Sequence, residues 1–127
     1  MTTYSVKNEA IQLDISGIAG DTLDNWKITF EDSNGVPLDI SSYQFYLIVK
    51  KSFKELDSAA VISKGPSDAV LTASDTVVDT MTFPLTPTDT EITPGTYVYA
   101  IKFSASGEER TWVEGSFTIE RRRIDTI

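Results

Sequence analysis

The chain offers carboxylates in quantity and little else for covalent or metal chemistry. Its 127 residues include 19 Asp and Glu against 11 Lys and Arg, with no His and no Cys. Without His or Cys there is no Ser-His-Asp triad, no thiol nucleophile, no disulfide and no zinc site of the usual ligand types. Paired-acid hydrolysis needs two carboxyls facing each other across a cleft. Glu108 and Glu109 are adjacent, so on a strand they point to opposite faces. Asp21 and Asp24 lie three apart near the start of a strand pattern. These acids read as solvated surface groups, and no catalytic residue is assigned.

Two loops resemble ligand sites at first sight. Asp32, Asn34 and Asp39, in EDSNGVPLD, supply oxygen donors around a glycine, as a calcium loop would. The D-x-[DN]-x-[DN]-G spacing and the distal bidentate Glu are missing, so a structural turn is expected. Residues 17–21, GIAGD, lack the Gly-Lys-Ser/Thr ending and the following helix pattern of a phosphate loop. The reading therefore carries no metal and no cofactor. The tail Arg121-Arg122-Arg123 is the clearest charge asymmetry. Residues 121–127 balance to +2 on a chain of −8, leaving −10 elsewhere. Three arginines make a small patch for nucleic acid, and the acidic remainder opposes phosphate binding, so contact with an acidic neighbour is the stronger partner reading. A solvated tail explains them as well. Tyr4, Tyr46 and Trp112 have the ring chemistry to stack on sugars, and cross-strand packing explains each equally.

The elements that must hold these residues are strands. Residues 95–104, GTYVYAIKFS, alternate strictly, with Tyr97, Tyr99, Ile101 and Phe103 on one face and Thr96, Val98, Ala100 and Lys102 on the other. Shorter alternations lie at Ile11–Ile15, Trp26–Phe30, Val77–Leu85 (Asp79 the polar exception) and Val113–Ile119, where Gly115 marks a bulge or a close approach. Residues 43–49, YQFYLIV, are apolar on both parities. That pattern predicts either a strand covered on both faces or one whose outer face meets another subunit, with Tyr46 and Ile48 as the interface residues. Residues 54–68 read as a loop holding a short strand at 60–63, and Thr86–Ile92 as one helical turn capped by Thr86 or Thr88. Turn signals stand at Asp32–Gly35, Pro94-Gly95 and Ala105–Glu108, the last a hairpin. About seven or eight such strands predict an all-β fold, an antiparallel immunoglobulin-like β-sandwich, with a small closed barrel as the alternative. Residues 1–120 form the domain and 121–127 the basic tail. No apolar run approaches ~18 residues and no signal peptide is read, so no membrane span is expected.

Two stretches carry a resemblance. Gly20-Asp21-Thr22 leads through Trp26, Ile28 and Phe30 into DSNGVPLDISSY at 32–43; LTPTDTEI at 85–92 leads through PGTYVY at 94–99 to Gly107 and GSFTI at 115–119. This ordered pattern resembles the small immunoglobulin-like β-sandwich proteins of tailed bacteriophages, best known as the N-terminal module of phage baseplate upper proteins. The resemblance implies a non-enzymatic virion structural protein, assembled in the host bacterial cytoplasm. Such a module docks through sheet edges, loops and termini onto tail, baseplate or neck. Its expected partners are other virion proteins and copies of itself, with Tyr46, Ile48, Arg121, Arg122 and Arg123 at the interface. The related baseplate proteins continue into a longer region, so the resemblance implies a stand-alone subunit, adaptor or capsid decoration protein here. Competing readings are a carbohydrate-binding or adhesion module, and a small acid-dependent hydrolase.

Overall fold

The computed structural model describes residues 2–7, 11–24, 26–32, 34–73, 76–105 and 107–121, of which 2–7, 11, 108–110 and 112 are described by their backbone alone. The strands are β1 (Thr2–Lys7), β2 (Ile11–Gln12), β3 (Ile15–Ile18), β4 (Trp26–Glu31), β5 (Gln44–Lys50), β6 (Ile62–Lys64), β7 (Val70–Ala73), β8 (Val78–Thr82), β9 (Gly95–Ala105) and β10 (Glu108–Glu120). One helical turn, α1 (Pro87–Thr90), precedes β9, and 3-10 turns occupy Asp57–Ala59 and Pro66–Asp68. The fold is all-β in two sheets. One runs β1-β4-β8-β7; the other runs β2-β10-β9-β5-β6, with β3 also against β10.

The alternating patterns dictate which side chains meet between the sheets. Ile28 and Phe30 of β4, Met81 of β8, Phe45, Leu47 and Val49 of β5, Tyr99 and Ile101 of β9 and Phe117 of β10 are all buried in one cluster. Phe30 packs on Phe45 across the two sheets at 5.5 Å between ring centroids, and Tyr43 stacks on Phe103 at 4.8 Å. Trp26 belongs to the same core.

Pairing direction corrects the purely antiparallel expectation. β1 lies parallel to β4, from Thr2↔Trp26 to Lys7↔Glu31, and β2 and β3 lie parallel to β10. Alternation reports which face of a strand is buried, not the direction of its neighbour. The stretch between β1 and β4 passes along the other sheet, which supplies the long connection that a parallel pair requires. The remaining pairs are antiparallel, including the β9–β10 hairpin (Glu108↔Ala105), where Gly107 takes φ +82°. β1 and β7 were not legible in the residue pattern, and β6 begins two residues later than the 60–63 expectation.

Gly115 proves to be a close approach, while the irregularity in β10 falls between Thr111 and Val113. The Leu13 carbonyl leaves the β2–β3 ladder and accepts the Tyr99 hydroxyl at 2.7 Å. A Cβ at position 115 would stand 2.0 Å from that carbonyl oxygen, so only glycine fits. The Asp14 carboxylate takes over the vacated ladder position by accepting the Ser116 N–H at 3.2 Å. That backbone donor, joined by the Ser116 side chain, holds the Asp14 carboxyl below its ordinary value.

At the other end, Thr86 caps α1 as one of the two residues expected to. Its hydroxyl accepts the Asp89 N–H at 3.2 Å, and Asp89 accepts the Thr86 N–H at 2.9 Å. Tyr97, at the start of β9, donates its hydroxyl to the Thr93 carbonyl at 2.5 Å. No helix among the described residues is long and apolar enough to cross a membrane.

Candidate protein-interaction face

The outer face of the second sheet is built from the residues that alternation points away from the core. On β5 these are Tyr46, Ile48 and Lys50; on β9 they are Val98, Ala100 and Lys102; all six are half-buried. Antiparallel register sets them in rows, with Tyr46 beside Lys102, Ile48 beside Ala100 and Lys50 beside Val98. Ala100, the small side chain of the middle row, helps to leave a groove of about 410 Å³, which Thr111 of β10 closes on one side and Phe53 and Asp57 overhang on the other.

The overhang is held from below. The Lys50 ammonium donates to the Glu55 carbonyl at 2.7 Å and to the Asp57 carboxylate at 2.9 Å. The turn is tightened by the Glu55 N–H on the Ser52 carbonyl at 3.1 Å and the Lys54 N–H on the Ser52 hydroxyl at 3.2 Å. Phe53 nevertheless stays 52% exposed and Leu56 76% exposed. Apolar lip, apolar floor and charged ends form one continuous surface, the chemistry of a protein-binding patch more than of a catalytic cleft.

Of the five residues expected at an interface, Tyr46 and Ile48 line this groove together. Arg121 is exposed just beyond β10, past the far end of that strand from Thr111, and does not join them. Arg122 and Arg123 lie outside the described residues. Phe53 and the Lys50–Asp57 pair escaped the sequence reading, because an aromatic inside a Lys/Ser/Glu-rich loop carries no periodic signal.

The other candidates have structural employment or no description. Asp32 accepts the N–H groups of Asn34 at 2.8 Å and Val36 at 3.0 Å, and Asp39 accepts that of Ser41 at 2.9 Å. The Ser41 N–H, then its side chain, lower the Asp39 carboxyl. These acids make turns, as expected of the segment, and among the described residues no group of three or more Asp or Glu converges on a cation position. Residues 17–21 are tied to α1, where the Thr90 hydroxyl donates to the Asp21 carbonyl at 2.6 Å. Asp21 and Asp24 are exposed. The side chains of Tyr4, Glu108, Glu109 and Trp112 lie outside the described set.

Comparison with known proteins adds no relative: no protein-family model matches the chain, and no curated protein matches it.

Proposed function

We propose that this chain is a non-enzymatic structural component of a tailed-phage virion, an immunoglobulin-like sandwich that assembles with copies of itself and with other virion proteins. The observation that carries the fold half of the reading is the strand order. The paths β7-β8-β4 and β10-β9-β5-β6 correspond to the D-E-B and G-F-C-C′ sheets of that architecture. Tyr97 occupies the tyrosine-corner position, at the start of the penultimate strand with its hydroxyl turned back on the chain four residues upstream. The parallel pairing of β1 with β4 departs from that plan. The assembly half rests on the resemblance of residues 20–43 and 85–119 together with the apolar groove of the outer face.

Mass spectrometry of purified tailed particles, from cells carrying the gene, tests the reading. The chain should be present at a fixed ratio to the major tail or capsid protein. Particles without it remove the proposal. A glycan-binding reading has one observation in its favour, Tyr46 and Phe53 on the same groove beside a charged pair. Glycan-array binding lost on Tyr46→Ala or Trp112→Ala would replace the structural reading with that one.

A further inference from the structure

We infer that the turn at 32–35 holds a self-modification site, at which Asn34 converts to aspartate and isoaspartate through the main-chain nitrogen of Gly35. The inference goes beyond the virion reading and needs no partner. Asp32 and Asp39 are occupied in shaping this segment, whereas Asn34 sits at the exposed tip with its reactive neighbour in place. The chain has three asparagines. Asn8 precedes Glu9 and Asn25 precedes Trp26, so Asn34 alone is followed by a residue without a Cβ. A Cβ built at position 35 would meet a single neighbouring group within 4 Å, the Glu31 carboxylate at 3.9 Å, so the surroundings of the Gly35 main chain are open.

Water and hydroxide are the only other reactants. The Gly35 nitrogen, having lost its proton to hydroxide, attacks the side-chain Cγ of Asn34. The new nitrogen–carbon bond closes a five-membered succinimide, and the side-chain amide nitrogen leaves as ammonia, taking its proton from water. Attack by the adjoining peptide unit has the high effective concentration of an intramolecular reaction. Water then opens the ring at either carbonyl. Breaking the bond from nitrogen to Cγ leaves aspartate; breaking the bond to the main-chain carbonyl leaves isoaspartate, with the chain running through the Asn34 side chain. The balance is one water consumed and one ammonia released, with no change of oxidation state.

The folded turn restrains this reaction. The Gly35 N–H donates to the Asp32 carbonyl at 3.0 Å, so the nitrogen that must attack is committed to a hydrogen bond. The Asp32 carboxylate holds the turn shut by accepting the Asn34 N–H at 2.8 Å and the Val36 N–H at 3.0 Å. Its negative charge also opposes formation of an amide anion close by. Conversion therefore proceeds from the opened turn, and Asp32 sets how often an exposed tip of this kind opens. The product alters the turn in return. Aspartate places a second carboxylate beside Asp32, and isoaspartate adds a main-chain atom between Asp32 and Val36, whose N–H to carbonyl bond at 2.8 Å closes the loop. The modification thus loosens the chain where it leaves β4.

Peptide mapping by mass spectrometry reads the conversion, on the full chain held in mildly alkaline buffer at body temperature. Asn34 should pass to aspartate and isoaspartate at a rate proportional to hydroxide, while Asn8 and Asn25 keep their amides over the same interval. Asp32→Ala should speed the loss at Asn34 roughly tenfold, the gain in opening expected when hydrogen bonds to a carboxylate are removed. In urea strong enough to unfold the chain, the parent should convert faster than when folded, and the advantage of Asp32→Ala should shrink. Asn34→Gln, whose longer side chain closes the ring poorly, should suppress ammonia release. Circular dichroism melts establish that each variant is folded. Should Asp32→Ala not fold, the parent decides alone, by the order unfolded faster than folded and Asn34 faster than the other two asparagines. An Asn34 amide that persists in the folded chain, equal rates in folded and unfolded parent, indifference to Asp32→Ala in a folded variant, or faster loss at Asn8 or Asn25 overturns the inference.

Discussion

Tyr97, Tyr99 and Gly115 show how single atoms fix this fold. The two tyrosines look equivalent in sequence, two residues apart on the apolar face of β9, yet their hydroxyls serve different segments: Tyr97 ties the start of β9 to Thr93, and Tyr99 reaches Leu13. A net intramolecular hydrogen bond contributes about 1 kcal/mol, with a further penalty where the partner carbonyl is left dry. Urea titration should therefore find Tyr97→Phe and Tyr99→Phe each less stable by about 1–2 kcal/mol. Gly115→Ala places a methyl against backbone that cannot rotate away, and should cost more, about 2–3 kcal/mol. Hydrogen exchange should locate its damage at Leu13–Ile18, with β5 unaffected. Glycine at 115 was legible as a point of close approach; that the approaching atom is the Leu13 carbonyl was not, because the contact spans about a hundred residues of chain. Asp79 was similarly opaque. Parity set it on an apolar face, and it is buried there, 1% exposed, with the Thr80 hydroxyl donating to it at 3.1 Å.

Among the elements, α1 has the most to lose from acid. Asp89 caps it and also accepts the Lys64 ammonium at 2.8 Å, joining α1 to the end of β6. Burial of this carboxyl, 18% exposed, pushes its pKa up, but the Lys64 ammonium, the Thr86 N–H and the Thr86 hydroxyl together outweigh burial and hold it below its ordinary 3.8. A carboxyl depressed in the folded state stabilises fully above its unfolded pKa, and that contribution vanishes as pH falls through the lowered value. Asp89→Asn should thus be less stable than the parent by about 1–2 kcal/mol near neutrality. The two stability curves should converge under strong acid, as chemical denaturation at a series of pH values would read. A constant gap down to the most acidic point would contradict this. The alternating β4 and β9 and the doubly apolar β5 were legible to within a residue or two, whereas β10 begins five residues before the 113–119 pattern. β1 and β7 were not legible: β7 has four residues, and β1, though as long as β4, carries only Tyr4 and Val6 as apolar residues.

The molecule as a whole is an acidic body with one partly apolar face. Screening shortens the reach of like-charge repulsion, to about 10 Å at 0.1 M salt. Association of this chain of −8 with its own copies should therefore strengthen as salt rises from low ionic strength, whereas contact through the Arg121 end onto an acidic neighbour should weaken. Sedimentation at two salt concentrations distinguishes them by sign. Part of the candidate face was readable beforehand, because an outer-face patch at Tyr46 and Ile48 was one of the two readings that the doubly apolar run 43–49 offered. The rest comes from β9 and from the loop after β5, which only the register and the Lys50 clamp bring over the same trough.

The parallel lie of β3 against β10 has a mechanical consequence. Tension drawing the two chain ends apart pulls β3 toward its start and β10 toward its finish, along the ladder in opposite senses. Their hydrogen bonds, and those of Leu13 and Ala19 that extend the row, are loaded in shear and must give way together rather than unzip singly. β1 stands outside this lock, paired with β4 at the margin of the first sheet. Stretching by force microscopy should show a small early extension as β1 peels away. A second event at much higher force should follow, when the paired first and last strands of the other sheet slide apart. Gly115→Ala should lower the second force and leave the first unchanged.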